Sequence, residues 1–155
     1  MTPEKKQDYT RRISQANKTE ISVITYEIAL DYLADARGAK TNEEFEDGIK
    51  HSKRCVEQLR DALNMDYAEI SLPLARLYNY VTLEFDKAVM KRDSSKLEEC
   101  EMILTNLHDS FVEVAKQDES GAVMKNTEQV FSGLTYGPAG ANEIVNQESN
   151  RGFSV

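Results

Sequence analysis

Apolar residues recur every three to four positions from Asn17 to about Gln117, a spacing that predicts helices rather than strands. One proline, Pro73, and two glycines interrupt this region. The pattern predicts four helices of about twenty residues with short connections, which together form an antiparallel four-helix bundle. The predicted fold class is therefore all-α.

Polar residues mark the beginning of the first two predicted helices. Asn17 and Thr41 are each followed three residues later by a glutamate, Glu20 and Glu44, which is the spacing of a capping box. Gly38 supplies a stop between them, because glycine is the preferred residue just beyond a helix. The four predicted helices cover about 18–38, 41–64, 71–92 and 95–117.

The third predicted helix begins near Ser71, with Pro73 in its first turn, where a backbone N–H needs no partner within the helix. The fourth begins at Ser95, which pairs with Glu98 at capping-box spacing. The second and fourth helices carry one main apolar face each. The stripe of the second is Phe45, Ile49, Ser52, Val56, Leu59 and Leu63; that of the fourth is Leu97, Cys100, Leu104, Leu107, Phe111 and Val114.

The stretch "LPLARLYNYVTLEF", residues 72–85, has too many apolar residues for one side of a helix. The predicted core face of the third helix is Leu74, Leu77, Tyr78, Val81, Phe85, Ala88 and Val89. The opposite sector holds Leu72, Leu83 and Met90, with Tyr80 at its edge. The first helix is doubled in the same way, with Val23, Tyr26, Leu30 and Leu33 on one side and Ile21, Ile24, Ile28 and Tyr32 on the other.

Large apolar side chains on a second face need a cover, because such surface promotes association. One interpretation is intramolecular: the N-terminal arm, with Tyr9 and Ile13, and the C-terminal tail lie on the bundle. The other is a groove for an amphipathic partner helix, and the two are compatible if a terminal segment occupies the groove until a partner binds. The candidate partner-binding residues are Tyr9, Ile21, Ile24, Ile28, Leu72, Tyr80, Leu83 and Met90.

The composition changes after Asp118, which divides the chain into a short N-terminal arm (1–16), a bundle (17–118) and a tail (119–155). The tail holds five of the seven glycines. Val123, Val130 and Phe131 have near-helical spacing and predict a possible fifth short helix, followed by a loop with Leu134 and Tyr136. We expect this apolar tail to dock on the bundle.

Charge argues against nucleic acid as a partner, because 27 acidic residues outnumber 19 basic ones and the net charge is −8. The polar N-terminus does not resemble a signal peptide, and no apolar run approaches the roughly 18 residues of a membrane span. We therefore expect a cytoplasmic protein without membrane insertion. Cys55 and Cys100 match no metal-ligand spacing and are predicted to be small, buried core residues without a disulfide.

Catalytic and metal sites find little support in the sequence. A di-iron bundle needs Glu-x-x-His pairs, but Gly48 precedes His51 by three residues and Thr105 precedes His108. His51, with Lys53 and Arg54 beside it, leaves histidine phosphotransfer as an alternative function. A purely structural or interaction bundle is a further alternative. We predict no enzyme activity and no cofactor.

Three segments resemble the flagellar export chaperones of the FliS family. "TEISVITYEIALDYL" is similar to the family's first-helix pattern "ELI-x-x-LYDGAI-x-x-L", with Tyr26, Ala29, Leu30 and Leu33 at matching positions. The stretch from Leu72 is similar to "NL-x-x-LY-x-Y", and "LRDALNMD" is similar to the end of the second helix. Departures include Glu27-Ile28 for Asp-Gly, Asn17-Lys18 for Ser-Pro, and Pro73 for Asn.

The resemblance implies a cytoplasmic chaperone that binds the C-terminal segment of flagellin, prevents premature filament assembly and supports delivery to the flagellar export gate. It implies no catalytic residue. The free protein is expected to be a monomer or a weak homodimer. The resemblance covers about residues 9–116 and leaves the role of the tail open.

Overall fold

The computed structural model describes residues 1–124, and all regular structure in this part of the chain is helical. The α-helices are α1 (Pro3–Gln15), α2 (Lys18–Arg37), α3 (Asn42–Asp61), α4 (Ala68–Met90) and α5 (Leu97–Gln117), with a short 3-10 turn at Met65–Tyr67. The predicted all-α class is confirmed. Val130, Phe131, Leu134 and Tyr136, on which part of the tail prediction rests, lie outside the described residues.

Helices α2 to α5 form an antiparallel bundle, as contacts between their side chains show. Ser52 of α3 donates its hydroxyl to the backbone carbonyl of Ala29, 2.8 Å away, and Arg60 reaches Asn79 of α4 at 3.0 Å. Tyr26 of α2 packs on Phe111 of α5 with ring centroids 5.3 Å apart. Four pairs of adjacent helices close the bundle, and α4 and α5 are the pair with the least contact.

The two predicted capping devices at the first helices are present. Asn17 and Glu20 form a reciprocal capping box at the start of α2, and the Thr41 hydroxyl accepts from the Glu44 backbone N–H at 3.1 Å at the start of α3. Gly38 is the C-cap of α2, as predicted. These ends agree with the sequence because a cap is a local interaction between residues three positions apart.

The start of α4 differs from the prediction. The helix begins at Ala68, three residues before Ser71, so Pro73 lies in the second turn instead of the first. Ser71 is not a cap: its hydroxyl donates 2.6 Å to the backbone carbonyl of Asn64, whose side chain caps the 3-10 turn by accepting from the Asp66 N–H. Because of these contacts, α4 begins earlier in the chain than the sequence predicted.

The predicted cap at Ser95 is also wrong. Helix α5 begins at Leu97 after Lys96, and no side chain caps it. The Ser95 backbone N–H instead donates to Asp93, 3.0 Å away, in a turn that follows the left-handed residue Arg92 (φ 52°). Ser95 is therefore hydrogen-bonded within the turn, and the predicted capping pair of Ser95 with Glu98 does not form.

The N-terminal arm, whose secondary structure the sequence left open, is helical over Pro3–Gln15. Thr2 caps α1 by accepting from the Lys5 N–H, and Pro3 stands at the first helical position, where proline is favoured. Helix α1 packs antiparallel on α2, but no residue of α1 is fully buried. It is an accessory helix on the outside of the bundle.

The predicted core faces are largely confirmed, with two exceptions on α4 and α5. The largest fully buried side chains are Tyr26, Tyr78, Phe85, Leu33, Ile49, Leu97 and Leu104. Leu77 and Val114, both predicted to face the core, are exposed. Cys55 and Cys100 are buried free thiols, as predicted, and burial raises the pKa of Cys55 to about 11 and that of Cys100 to about 12.

Helices α2 and α3 meet most closely at Gly48. A Cβ placed there would lie 2.8 Å from the Cβ and 3.0 Å from both the Cα and the backbone N of Ala36. Backbone atoms cannot move aside as the end of a flexible side chain can, so any larger residue forces the two helices apart. Glycine at this position is required by packing and not by backbone conformation.

We predict that Gly48→Ala lowers the free energy of unfolding by about 1 to 2 kcal/mol, because the overpacking cost exceeds the roughly 1 kcal/mol that alanine gains in a helix. Urea denaturation measures the change. Gly38→Ala is the matched control: its Cβ would lie 3.5 Å from the nearest atom at a φ of −94°, so stability should change by less than about 0.5 kcal/mol. Equal effects of the two substitutions would contradict the close-packing explanation.

Candidate partner-binding surface

The second apolar face of α2 is covered by its neighbours within the chain. Ile24, predicted to face a partner, is only 3% exposed and lines a cleft of about 480 Å³ together with Arg12 and Ala16. Ile28 is half-buried and packs against the core. Ile24 is therefore covered within the chain on the side where α1 docks, which agrees with the intramolecular interpretation of the second face, and its contact with a partner stays a prediction.

Ile21 and Tyr32 of the same predicted face lie against α3. Ile21 lines a surface cleft with Leu59 and Ala62. The Tyr32 ring stacks on His51, with centroids 4.7 Å apart. The predicted second face thus divides between two neighbouring helices, and α2 offers no continuous apolar surface while α1 is docked.

Helix α1 is held mainly by polar contacts to an acidic row on α2, formed by Glu27, Asp31 and Asp35. The Tyr9 hydroxyl donates to Asp31 at 2.6 Å, and Arg12 makes two hydrogen bonds to Glu27, at 2.9 and 3.2 Å. Lys5 also reaches Asp31, and the N-terminal ammonium contacts Asp35. Tyr9, a candidate partner-binding residue, is thus engaged within the chain.

Glu27 connects three helices. Its carboxylate accepts from Arg12 of α1 and lies 3.1 Å from Nε2 of His108 on α5, whose Nδ1 lies 3.0 Å from Asp109. Partial burial alone would raise the pKa of Glu27, but Arg12 and His108 outweigh burial and lower it. Partial burial alone would lower the pKa of His108, but hydrogen bonds to Asp109 and Glu27 raise it above its ordinary value.

No part of residues 1–124 covers the outer face of α4. Leu72, Leu83 and Met90 are 44%, 51% and 82% exposed, and the helical spacing places them on one side, opposite the buried Val81 and Phe85. The structure therefore brings together the three residues that the sequence assigned to this sector. We call these three side chains the α4 outer face.

Tyr80 stands at the edge of this face and turns toward α5, where its hydroxyl donates to Glu99. That hydrogen bond raises the pKa of Tyr80 to about 12. The contact also fixes how the antiparallel α4 and α5 align. Tyr80 is half-buried and hydrogen-bonded, so it differs from the exposed side chains of Leu72, Leu83 and Met90.

Sequence reasoning missed a second apolar strip, where α4 faces α5. Ile70 and Leu77 of α4 are 67% and 37% exposed, and Val114 of α5 is 54% exposed. Between them, Leu74, Ile103 and Leu107 are half-buried against the core. We call these six residues the α4–α5 strip. No sequence signal separates Leu77 from the true core positions, because Leu77 lies on the side of α4 that faces the core. Leu77 is exposed only because the contact between α4 and α5 is limited.

The family model for flagellar protein FliS matches residues 1–118. The chain belongs to the FliS family. No curated protein matches it. The family assignment makes this protein a flagellar chaperone, and the family is not an enzyme family. The match includes α1 and ends at the residue that follows α5, so it covers every helix described above.

Two of the tyrosines that carry the resemblance to FliS proteins, Tyr26 and Tyr78, are core residues here. Tyr26 and Tyr78 are both buried, and their hydroxyls form a hydrogen bond with each other. Burial raises the pKa of both phenols, so both stay neutral and able to donate. These motif positions join α2 to α4 and are not available to a partner.

His51, the residue behind the phosphotransfer alternative, is used in packing. Its Nδ1 lies 2.7 Å from the backbone carbonyl of Asp47, and its ring stacks on Tyr32. Within residues 1–124 there is no group of three His, Cys, Asp or Glu residues that could hold a metal ion. In the same part of the chain, no helix is long and apolar enough to cross a membrane.

We predict that raising the pH from about 6 to about 8 destabilises this FliS protein through His108. The folded state raises the pKa of His108, so its contribution is complete below the ordinary pKa and is lost as the pH rises through the folded value. Glu27 has the opposite sign: its pKa is lowered, so its contribution is lost only on acidification.

Urea denaturation across this pH range tests the prediction, with His108→Gln as the comparison. The variant should show a flatter dependence of unfolding free energy on pH than the wild-type chain. An unchanged slope in His108→Gln would assign the pH dependence to another group.

Proposed function

We propose that this FliS-family chaperone binds the C-terminal segment of flagellin in the cytoplasm, prevents its premature assembly into filaments and supports its delivery to the flagellar export apparatus. The observation that carries the proposal is the α4 outer face. Leu72, Leu83 and Met90 expose large apolar side chains on one side of a helix whose other side supplies the bundle core.

An amphipathic helix is the ligand that suits such a surface. A partner helix presents its apolar residues on one side, and Leu72, Leu83 and Met90 likewise lie on one side of α4. Removing these side chains from water favours binding in proportion to the apolar area buried. The α4–α5 strip is a separate surface, because Leu77 lies on the core side of α4 and not on the side of Leu72 and Leu83.

The predicted contacts from α2 require a different state of the protein. Ile24 is covered while α1 is docked, and Tyr9 is bonded to Asp31. We therefore propose that a partner binds first on α4, where Leu72, Leu83 and Met90 are already exposed. Ile24 joins the contact only if α1 moves away from α2, whereas Ile21 lies against α3 and Ile28 packs on the core.

The alternatives gain less support. Phosphotransfer needs an accessible histidine nitrogen with basic neighbours, whereas His51 is stacked on Tyr32 and bonded to the backbone. A purely structural bundle has no need for three large apolar residues on an outer face. The proposed chaperone needs neither a cofactor nor nucleic acid, and the export gate is its second proposed partner.

We predict that Leu83→Asp weakens binding of the flagellin C-terminal segment by about ten-fold or more, because the complex would bury a charge against apolar side chains. The free protein should remain folded, since Leu83 is 51% exposed. Isothermal titration measures binding, and circular dichroism measures folding.

Met102→Asp is the matched control, since Met102 is an exposed apolar residue on α5 and the substitution adds the same charge away from α4. It should leave the affinity nearly unchanged. Equal loss in the two variants would indicate a general charge effect. Unfolding of Leu83→Asp would place Leu83 in the core.

The tail gives a further prediction. We propose that residues 125–155 compete with flagellin for the apolar surface, which lowers the apparent affinity by the fraction of molecules in which the site is closed. A chain that ends at Met124 keeps every described contact, so it should bind flagellin more tightly or self-associate. A monomer with unchanged affinity would exclude this role for the tail. A chain that ends at Asp118, the predicted end of the bundle, is less suitable, because it also lacks the contacts made by residues 119–124.

A further inference from the structure

Helix α1 depends on contacts that are individually weak. Its ion pairs with Glu27 and Asp31 are partly exposed, and such pairs contribute little because water screens them and ordering the side chains costs entropy. No α1 residue is fully buried. Among the α-helices of residues 1–124, α1 therefore has the fewest buried residues. Helices with few buried apolar contacts open locally before the rest of a fold.

The connection between α1 and α2 is short. Ala16 and Asn17 are the two residues between the helices, and both are extended, with φ/ψ of −87°/142° and −78°/177°. A rotation of α1 away from α2 must change the backbone angles here, because the helices on both sides are rigid. Both residues are nevertheless buried, at 3% and 5% exposure, and both are hydrogen-bonded to chain that follows α5.

The segment Asp118–Val123, which we call the strap, makes these contacts. The Val123 backbone N–H donates to the Ala16 carbonyl at 3.0 Å. The Asn17 side-chain amide donates to the carbonyls of Asp118 and Ser120, both at 3.4 Å. The strap is therefore bonded to each of the two residues that must rotate when α1 moves.

A carboxylate holds the strap in position. Asp118 accepts from the Thr19 hydroxyl of α2 at 2.6 Å and from the Ser120 backbone N–H at 2.9 Å, and the Ser120 hydroxyl also donates to it. The Ser120 and Thr19 hydrogen bonds lower the pKa of Asp118 to about 2, so the acceptor is ionised at neutral pH. Hydrogen bonds to a charged acceptor are stronger than neutral ones.

We propose that the strap Asp118–Val123 locks the hinge at Ala16–Asn17, so that release of the strap and undocking of α1 are one coupled transition. The end of the bundle chain thereby controls access to the side of α2 that carries Ile24 and the acidic row. A hinge rotation that moves the Ala16 carbonyl breaks its hydrogen bond with the Val123 N–H, and loss of the strap frees the hinge in turn. By thermodynamic linkage, each event favours the other by the same factor.

Hydrogen exchange measured by mass spectrometry on the full chain tests the coupling in both directions. Thr19→Val removes one hydroxyl from the strap with little change of shape, and Asp118→Ala removes the carboxylate. In each variant the amides of α1 should exchange roughly three- to ten-fold faster, the effect of losing one hydrogen bond. Conversely, Arg12→Gln, which weakens α1 docking, should accelerate exchange of the strap amides.

Thr25→Val is the matched control. Thr25 is on the same helix, and its hydroxyl donates to the Ile21 carbonyl of α2 itself, so exchange in α1 and in the strap should stay at the wild-type rate. The proposal is wrong if α1 keeps its wild-type exchange in both Thr19→Val and Asp118→Ala. It is also wrong if Arg12→Gln accelerates exchange in α1 but leaves the strap unchanged. No partner protein is needed, so either result is independent of flagellin binding.

Discussion

The structure depends on covering α2, a helix that is apolar on more than one side. Helix α3 takes one side, where Gly48 allows the backbones to approach, and α5 takes another, where Phe111 packs on Tyr26. Helix α1 covers the third side over Ile24. Because α2 is covered by three neighbours, it acts as the central element of the bundle, and α4 lies farther from it on the open side.

This arrangement gives the two accessory surfaces different properties. Helix α1, which covers one side of α2, is attached by polar contacts to Glu27 and Asp31. It can therefore leave α2 without breaking the core. The α4 outer face has no cover in residues 1–124. Under the proposed function the α4 outer face is the surface that binds first, and the side of α2 under α1 becomes exposed only after the proposed undocking.

Where sequence reasoning failed, the cause was a contact beyond one helical turn, or the lack of one. Ser71 has the residue type of a helix cap, yet its hydroxyl is taken by the Asn64 carbonyl, and the helix starts earlier. Leu77 has the spacing of a core residue, yet the limited contact between α4 and α5 leaves it exposed. The sequence left open what covers Ile24, and in the structure α1 covers it.

The sequence by itself determined the helical class, the caps at Asn17 and Thr41, most core stripes and the exposed α4 outer face. These follow from spacing and from interactions within one helical turn. Only the tertiary structure decided that α1 is a helix docked on α2, that an acidic row holds it, and that the strap closes its hinge. Those features depend on partners such as Glu27 with His108 and Thr19 with Asp118, which are 81 and 99 residues apart and meet only because the bundle has folded.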